Sequence, residues 1–351
     1  MFIVISILIF GLIIAIHELG HFLAARAFGV GVPEFAIGLG PVLLKKQGKE
    51  TLYTLRAIPL GGFCAMDGDD NDEKSEKSLH RKPVWQRFII FIAGSAMNII
   101  AGFLIALALA ATLSGWPSTT LSGFAEGFPH EGEDGFLAGD RFHSINGHRI
   151  YQQGNISLFL YLNTEDTVDV VVIRDGARVV LNDLPLEPRI FGEATTPRYG
   201  FNFAFYDTPT FFDRLAFAGN LTRDFIRQLP LTIQMFASGQ AGMQDVSSVV
   251  GIVDIMNQVG AEAENVRIAV QSFMMITALI TIAVAAFNLL PIPALDGGRI
   301  FLMLVTAAIE KISGRKVDPK YEAYINAAGF ALLIGFMIYI VFQDIVQIVT
   351  R

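Results

Sequence analysis

The chain has 351 residues, of which 52% are hydrophobic and 17% charged, and its mean hydropathy is +0.49. This composition is typical of an integral membrane protein with room for two or three domains. A net charge of -7 argues against a nucleic-acid partner, and the single cysteine, Cys64, excludes an intrachain disulfide and a cysteine-based zinc site.

Four stretches are long enough to cross a bilayer core, which takes roughly 20 apolar residues. They cover residues 2–25, 88–113, 272–290 and 327–349. The first could be a signal peptide, but it lacks a positively charged start and continues into a polar motif, so we expect it to be retained. The sequence therefore predicts a polytopic α-helical membrane protein with about four transmembrane helices.

The first stretch contains His17, Glu18 and His21 in the pattern H-E-x-x-H. Residues four apart on a helix share one face, so the two imidazoles point the same way and the carboxylate lies beside them. The pattern is typical of zinc metalloproteases, in which the histidines hold the metal and the glutamate is the general base. Ionisable groups inside a membrane helix are costly unless they have a function. A protease with its metal inside the membrane is therefore the leading hypothesis.

A glycine-rich and partly apolar segment follows at residues 30–66. It predicts short strands at 30–32, 35–38 and 52–55, with a turn at Gly48. The segment is too apolar for a free loop, which favours β-hairpins that dip into the membrane; a small cytoplasmic sheet is the alternative. The acidic residues at 67–77 lack the spacing of an EF-hand, so we expect a solvated linker rather than a calcium site.

The second stretch contains the run Gly-Ser-Ala-Met-Asn at residues 94–98. Small residues permit close helix contact, and Asn98 can hydrogen-bond across helices. We predict that Asn98 contacts the backbone of a substrate. Steadying a metal ligand, or packing alone, are the alternatives.

The long region between the second and third stretches reads as two parts. Residues 114–190 predict a PDZ-like β-rich domain, with a strand over 167–174 and a turn at Asp175-Gly176. Residues 191–270 predict an amphipathic or peripheral region, whose helix at 211–236 lies either on the outer membrane surface or on the β-rich domain. The membrane parts are then 1–113 and 271–351.

A catalytic zinc needs a third protein ligand and an open position. Asp296 is the best candidate because it directly follows the third stretch. Pro291 and Pro293 end the helix before it and free backbone groups for other partners. The two glycines after Asp296 permit a tight backbone.

Loop charges orient the stretches. Residues 26–87 carry ten Lys/Arg, whereas residues 114–270 carry ten Arg, no Lys and 19 Asp/Glu. The positive-inside rule then predicts that the PDZ-like domain and both termini are extracytoplasmic. His17 and Asp296 both come close to cytoplasmic arginines, so we expect the active site toward the cytoplasmic side.

Two motifs at opposite ends of the chain carry a resemblance to a known family. They are the H-E-x-x-H run from His17 and the Leu-Asp-Gly motif at Asp296, and the runs 29–41 and 135–147 accompany them. On these residues the chain resembles the site-2 protease family of intramembrane zinc metalloproteases, in its bacterial regulator-of-sigma-E type with one PDZ domain. The resemblance covers nearly the whole chain.

The resemblance implies that Zn²⁺ is held by His17, His21 and Asp296, and that Glu18 is the general base. The substrate would be the transmembrane helix of a single-span inner-membrane protein, such as an anti-sigma factor or a leftover signal peptide. It would pair with the membrane-dipping loop by β-augmentation, and the residues in contact with it would include Asn288, Pro291 and Pro293. The PDZ-like domain would either exclude substrates with large outer domains or bind a peptide C-terminus.

Two departures from the family pattern stand out. Ser95 stands where the family often has proline, which puts the local bend of the second helix in doubt, and only one PDZ-like module fits. A zinc or ion transporter and a catalytically inactive PDZ-containing adaptor are functions of other classes. The external β-rich domain and the complete set of His17, Glu18, His21 and Asp296 argue against both.

Overall fold

The computed structural model describes residues 2–68, 75–192, 195–242, 246–318 and 320–350. The acidic residues of the expected linker fall largely outside this described part of the chain. Two compact units are present. We call Met1–Ala106 together with Phe225–Arg351 the membrane unit, and Leu107–Asp224 the β-rich unit.

Four helices in the described ranges are long and apolar enough to cross a membrane. They are α1 (Phe2–Ala27), α2 (Val84–Thr112), α6 (Val266–Asn288) and α8 (Lys320–Thr350). The prediction of a polytopic α-helical membrane protein is confirmed. Each helix extends past at least one end of the stretch predicted for it, because backbone hydrogen bonding continues into polar flanking residues that hydropathy does not register.

A sheet of two bent strands, β1 (Glu34–Gln47) and β2 (Leu52–Ala65), belongs to the membrane unit. Residues 34–37 of β1 run parallel to 52–55 and antiparallel to 62–65, whereas residues 42–47 pair antiparallel with 52–56. Each strand therefore contributes two segments to a sheet that is four segments wide. The bends fall at glycines with positive φ, a conformation that glycine adopts without steric cost; they are Gly38, Gly40 and Gly61.

The prediction of three short strands in this segment is wrong in its detail. Residues 30–32 are not in a strand: Val30 and Val32 are buried in a core that they share with Ala25 of α1 and Ile90 of α2. The other two predicted strands are pieces of β1 and β2. The apolar pattern did not show that each strand continues past the predicted pieces, because the bent parts pair with residues far along the chain.

Two further helices complete the centre of the membrane unit, α5 (Val249–Glu262) and α7 (Asp296–Ser313). The buried Met256 of α5 packs in one cluster with Phe10 and Ile13 of α1. The N-terminus of α5 is held by Asp344 of α8, whose carboxylate accepts hydrogen bonds from the backbone N–H of Ser248 at 2.7 Å and of Gly251 at 3.1 Å. The Ser248 hydroxyl donates to the same carboxylate. Helix α5 thus contacts both the first and the last membrane helix.

The β-rich unit is built on one sheet in the order β7-β6-β4-β3-β8, with β5 paired to β4. Its strands are β3 (Trp116–Phe124), β4 (Arg141–Ile145), β5 (His148–Arg149), β6 (Val168–Arg174), β7 (Ala177–Leu184) and β8 (Phe201–Tyr206), and helix α3 covers Gln153–Tyr161. Aromatic rings fill the core, where Phe136, Phe142 and Phe201 lie with centroids 5.1–5.6 Å apart. The buried Asp140 receives two hydrogen bonds of 2.8 Å from Arg174.

Helix α4 (Phe211–Ser238) is amphipathic, and its first half packs on the β-rich unit. Asn155 of α3 donates a 2.6 Å hydrogen bond to the buried Asp224, and the ring of Phe217 lies 4.7 Å from that of Trp116. Leu221 is buried in the same contact. This half of α4 therefore packs partly on protein, as in the alternative to the membrane surface, while Phe211, Phe212 and Leu215 remain exposed.

Candidate metal centre

Helix α1 presents His17, Glu18 and His21 on one side, as their spacing predicts. Both imidazoles are buried, with 7% and 5% of their residue surfaces exposed, and their rings meet edge to face at 4.8 Å. Their Nε2 atoms lie 3.2 Å apart. Two nitrogen donors thus converge on one point inside the membrane unit.

Asp296 reaches the same point from the far end of the chain. It is the first residue of α7, and the seven-membered stretch 289–295 separates it from Asn288, the last residue of α6. Its Oδ2 atom lies 3.1 Å from Nε2 of His17 and 3.2 Å from Nε2 of His21. At the N-terminus of a helix, a carboxylate is also favoured by the helix dipole.

The turn that carries Asp296 depends on its glycines. A side chain on Gly297 would lie 2.3 Å from the backbone of Leu289, and one on Gly298 would lie 2.0 Å from the carbonyl oxygen of Ile292. Ala294 has a φ of 76°, in the left-handed region that few residues other than glycine adopt. Its N–H donates to the side chain of Asn326 on α8 at 3.2 Å, which helps to hold this conformation.

The three donor atoms fit a zinc ion. In a tetrahedral site with bonds of about 2.0–2.1 Å, neighbouring ligand atoms are about 3.3 Å apart. The observed separations of 3.1, 3.2 and 3.2 Å come close to three edges of that tetrahedron. Oδ2 of Asp296 is buried and has no hydrogen-bond partner among the described residues, although both imidazoles adjoin it. A shared cation explains three acceptors that face one another.

Helix α2 packs against the two imidazole rings. The backbone carbonyl oxygen of Ile90 lies 2.8 Å from Nδ1 of His21, which leaves Nε2 of that ring for a metal. One turn later, Gly94 packs directly on the rings: a Cβ there would lie 2.3 Å from Nε2 of His21 and 2.7 Å from Cε1 of His17. Only glycine fits between α2 and the donor atoms.

A cavity of about 300 Å³ opens beside the donor atoms. The backbone N–H of Cys64 in β2 is hydrogen-bonded to the Glu18 carboxylate, and Gly62 is close enough that a Cβ there would lie 3.4 Å from Cγ of Glu18. The edge segment 62–65 of β2 thus borders the site. The cavity is lined by Ile14, His17, Glu18, His21, Phe63, Cys64, Met66, Phe91, Val284, Asn288, Ala294, Leu295, Asp296 and Arg299.

Some of the residues predicted to contact the substrate line the cavity and others do not. Asn288 lines the cavity with the three donors and Glu18, whereas Asn98, Pro291 and Pro293 are not among its lining residues. Pro293 instead packs against Gly329 of α8. Asn98 is completely buried in α2.

Three contributors to the site were missed by sequence reasoning. The carbonyl of Ile90 has no sequence signature, because every residue carries one. Gly94 belongs to a run of small residues that predicts close helix packing, but the pattern does not say what the glycine contacts. Arg299 lies one turn after Asp296 and places a cation at the cavity, and its position near the motif was the available signal.

Comparisons with known proteins agree with this chemistry. The family described as Peptidase family M50 matches residues 5–336. A protein of Clostridium acetobutylicum that carries the name zinc metalloprotease is 34% identical, over 98% of this chain and 97% of its own. The regulator of sigma-W protease RasP of Bacillus subtilis is 26% identical, over 97% of both chains. The metalloprotease MmpA of Caulobacter vibrioides is 28% identical, over 96% of this chain and 93% of its own.

The match to the family extends over nearly the whole chain and includes the helices that carry all three donor atoms. Zinc is the metal of this family, and the donor set of two imidazoles and a carboxylate suits it. The chain therefore belongs to Peptidase family M50, the site-2 proteases, and is a multi-pass membrane zinc metalloprotease.

Proposed function

We propose that this protease cuts the transmembrane helix of single-span membrane proteins, with zinc held by His17, His21 and Asp296 and with Glu18 as general base. The observation that carries the proposal is the spacing of the three donor atoms beside a cavity that Glu18 also lines. These residues come from opposite ends of the chain, and no role in packing requires a carboxylate against two imidazoles.

The chemistry follows from the positions of the side chains. Bound zinc polarises the scissile carbonyl and makes water more acidic. Glu18 takes a proton from the attacking water and returns it to the leaving amine. The N–H of Cys64 holds the Glu18 carboxylate in place beside the cavity. Asn288 lines the same cavity and is positioned to hydrogen-bond the substrate backbone.

The substrate must unwind before it is cut, because the carbonyls of a helix are hydrogen-bonded within it. In the described residues, segment 62–65 of β2 pairs with residues 34–37 on one side only, and Phe63 and Cys64 line the cavity. We propose that an unwound substrate strand adds to this edge by β-augmentation. By the resemblance to the family, Pro291 and Pro293 are proposed to contact the same substrate segment, although neither lines the cavity.

The proposed setting is the cytoplasmic (inner) membrane, with lipid around the four spans. The excess of Lys and Arg in residues 26–87 supports a site that opens toward the cytoplasm, and the lysine-free region 114–270 supports an extracytoplasmic β-rich unit. The relative RasP is named a regulator of sigma-W protease, which supports anti-sigma factors as one substrate class. Remnants of signal peptides are a second class, because they too are single apolar helices.

Glu18→Gln tests the assignment in the full-length protein reconstituted with a single-span substrate. The variant is expected to bind one zinc like the wild type and to lose cleavage by about 100-fold or more, since the amide cannot accept the proton. His17→Ala and Asp296→Ala are expected to lose the zinc as well. Glu165→Gln, at an exposed position of the β-rich unit, is the matched control and is expected to cleave normally.

Each alternative function gives a different result. A catalytically inactive adaptor would bind substrate without cutting it in the wild type. A zinc or ion transporter would carry ions across a sealed vesicle, and that transport would not depend on a protease substrate. Full cleavage by Glu18→Gln would refute the role of the general base while leaving the family assignment in place.

The β-rich unit is proposed to be a PDZ-like domain that controls access. Its strand β8 is an edge of the sheet, which is where such domains add a peptide strand. Deleting residues 115–206, which contain all the strands of this sheet, separates two functions. Early cutting of intact substrates would identify a size filter, and loss of cutting with zinc still bound would identify a domain that recruits a peptide C-terminus.

A further inference from the structure

Asn98 of α2 is the most completely buried amide side chain near the proposed metal ligands. None of its residue surface is exposed, and neither Oδ1 nor Nδ2 has a hydrogen-bond partner among the described residues. Leaving a buried polar group unpaired costs its full desolvation penalty. An unpaired amide inside a membrane unit therefore calls for a partner that the packing alone does not supply.

The ring of the metal ligand His17 lacks a hydrogen-bond acceptor for its second nitrogen. Nδ1 of His17 is also buried and has no hydrogen-bond partner in the described residues, whereas Nδ1 of His21 lies 2.8 Å from the Ile90 carbonyl oxygen. A histidine that ligates a metal nearly always donates its second ring N–H to a carbonyl or carboxylate. His21 meets that rule in this structure, and His17 lacks the acceptor.

The order of contacts places Asn98 one turn of α2 beyond the residue that contacts His17. Ile90, Gly94 and Asn98 follow one another at four-residue spacing, so they share one face of α2. Ile90 contacts His21, and Gly94 contacts both rings, with a Cβ there 2.7 Å from Cε1 and 2.8 Å from Nε2 of His17. Later residues of α2 therefore lie against earlier residues of α1, from His21 toward His17. The next turn of α2 after Gly94 carries Asn98.

The position of Nδ1 within the ring strengthens this placement. Cε1 of an imidazole is bonded to both ring nitrogens, and it is the Cε1 atom of His17 that approaches Gly94 most closely. Nδ1 is bonded to the Cε1 end of this edge, and Asn98 lies one helical turn after Gly94 on the same face of α2. A contact between them requires a change of the Asn98 side-chain torsions, because neither Nδ1 nor the amide has a partner among the described residues.

We propose that Asn98 is a positioning residue for the metal ligand His17: its Oδ1 accepts the Nδ1 proton, so that Nε2 is held unprotonated toward the zinc. The inference rests on the proposed ligand set. It also differs from a substrate contact, because a fully buried amide that is absent from the cavity lining has no surface to offer a substrate. Asn98 acts through His17 and does not touch the reacting atoms.

Zinc affinity of the full-length protein tests the proposal without relying on activity. Asn98→Leu keeps the size of the side chain and removes the acceptor, and zinc is expected to bind about 10–100-fold more weakly in competition with a chelator. Asn98→Asp keeps an acceptor and is expected to retain affinity near that of the wild type. Ser95→Ala, which alters another fully buried and unpartnered polar group of α2, is the matched control and is expected to leave affinity unchanged.

Thermal unfolding of the zinc-free proteins separates this effect from misfolding. Asn98→Leu is expected to unfold at the same temperature as the wild type or above it, since it removes a buried polar group that the zinc-free protein leaves unpaired. Its kcat/KM with saturating zinc should recover, with KM unchanged. Wild-type zinc affinity in Asn98→Leu would overturn the proposal, and a raised KM beside that unchanged affinity would assign Asn98 to the substrate instead.

The reference variant His17→Ala distinguishes a failure of the role proposed for Asn98 from a failure of the proposed ligand set. Loss of zinc in His17→Ala with unchanged affinity in Asn98→Leu would reject the role of Asn98 alone. Retention of zinc in His17→Ala would reject the proposed ligand set, and the role of Asn98 with it.

Discussion

Several buried polar groups at the metal centre of the membrane unit lack the hydrogen-bond partners that the buried Asp140 and Asn155 of the β-rich unit have. In the β-rich unit, the fully buried Asp140 is held by two hydrogen bonds from Arg174, and Asn155 is bonded to Asp224. At the metal centre of the membrane unit, in contrast, four buried polar atoms have no partner among the described residues. They are Nδ1 of His17, both amide atoms of Asn98 and Oδ2 of Asp296.

The difference reflects what each unit must do. Unpartnered polar atoms in the β-rich unit, Nδ1 of His143 and Nε2 of Gln152, belong to residues that are only partly buried. Paired charges in a small sheet fix one fold, whereas unpaired donors and acceptors around a cavity keep their lone pairs for a metal and its surroundings. Unpartnered buried polar groups therefore indicate a binding site where several of them lie close together.

The largest expected effect comes from the membrane unit. Gly94→Ala would place a methyl group 2.3 Å from Nε2 of His21, so either α2 or the ligand ring must move. We expect zinc affinity to fall by at least about 100-fold, because even changes behind a ligand cost 10–100-fold. Metal content after dialysis against a chelator is the measurement. Gly335→Ala in α8, where a Cβ meets nothing within 4 Å, is the matched control. Normal zinc content in Gly94→Ala would show that α2 can yield at this point.

The second effect concerns the β-rich unit alone. Asp140→Asn leaves Arg174 without a charged partner, and breaking a buried pair from one side costs about 3–5 kcal/mol. The side chain of Arg174 is 17% exposed, so water moderates the loss and we expect the lower end of that range. Limited proteolysis during heating should show earlier cleavage within the β-rich unit, with unchanged zinc content. Asp166→Asn, at an exposed site, should leave the melting unchanged. Loss of zinc in Asp140→Asn would contradict the separation of the two units.

The smallest effect lies in the sheet of the membrane unit. The hydrogen bond from Arg56 lowers the pKa of Glu34, and Thr54 donates to the same carboxylate. Because the folded pKa lies below the unfolded one, this stabilisation is present above about pH 4.5 and is lost as the pH falls through the lower folded value. Glu34→Gln should cost up to about 1 kcal/mol at pH 7 and nothing in acid. Hydrogen exchange of residues 34–37 at both pH values is the measurement, with Glu76→Gln as control. An equal cost in acid would exclude the charge as its source.

The sequence predicted those parts of the site that depend on side-chain type and spacing. The helical spacing of His17, Glu18 and His21 in an apolar stretch predicted their role. Asp296 was predicted from its place after two prolines. The contacts of Ile90 and Gly94 were not predictable, since a backbone carbonyl and a missing side chain carry no chemistry of their own in a sequence. Only the crossing of α1 and α2 reveals them.

The fold shows the same division. Hydropathy found all four spanning helices, because burial in lipid requires long apolar runs. It could not show that β1 and β2 bend at glycines into four sheet segments, since the bends depend on pairing between residues far apart. The periodicity of α4 predicted a helix with an apolar face. The same periodicity is expected whether that face contacts lipid or protein, so it does not distinguish the two. Phe217 and Asp224 contact the β-rich unit, whereas Phe211 and Phe212 of the same half are exposed.

The carboxylate of Asp344 has a consequence for biosynthesis. It caps the N-terminus of α5, although 96 residues separate it from Ser248. During translation α5 is made long before α8, so its first turn has no acceptor at that stage. We therefore expect the packing of α5 against the zinc-bearing α1 to be completed only after α8 has been made.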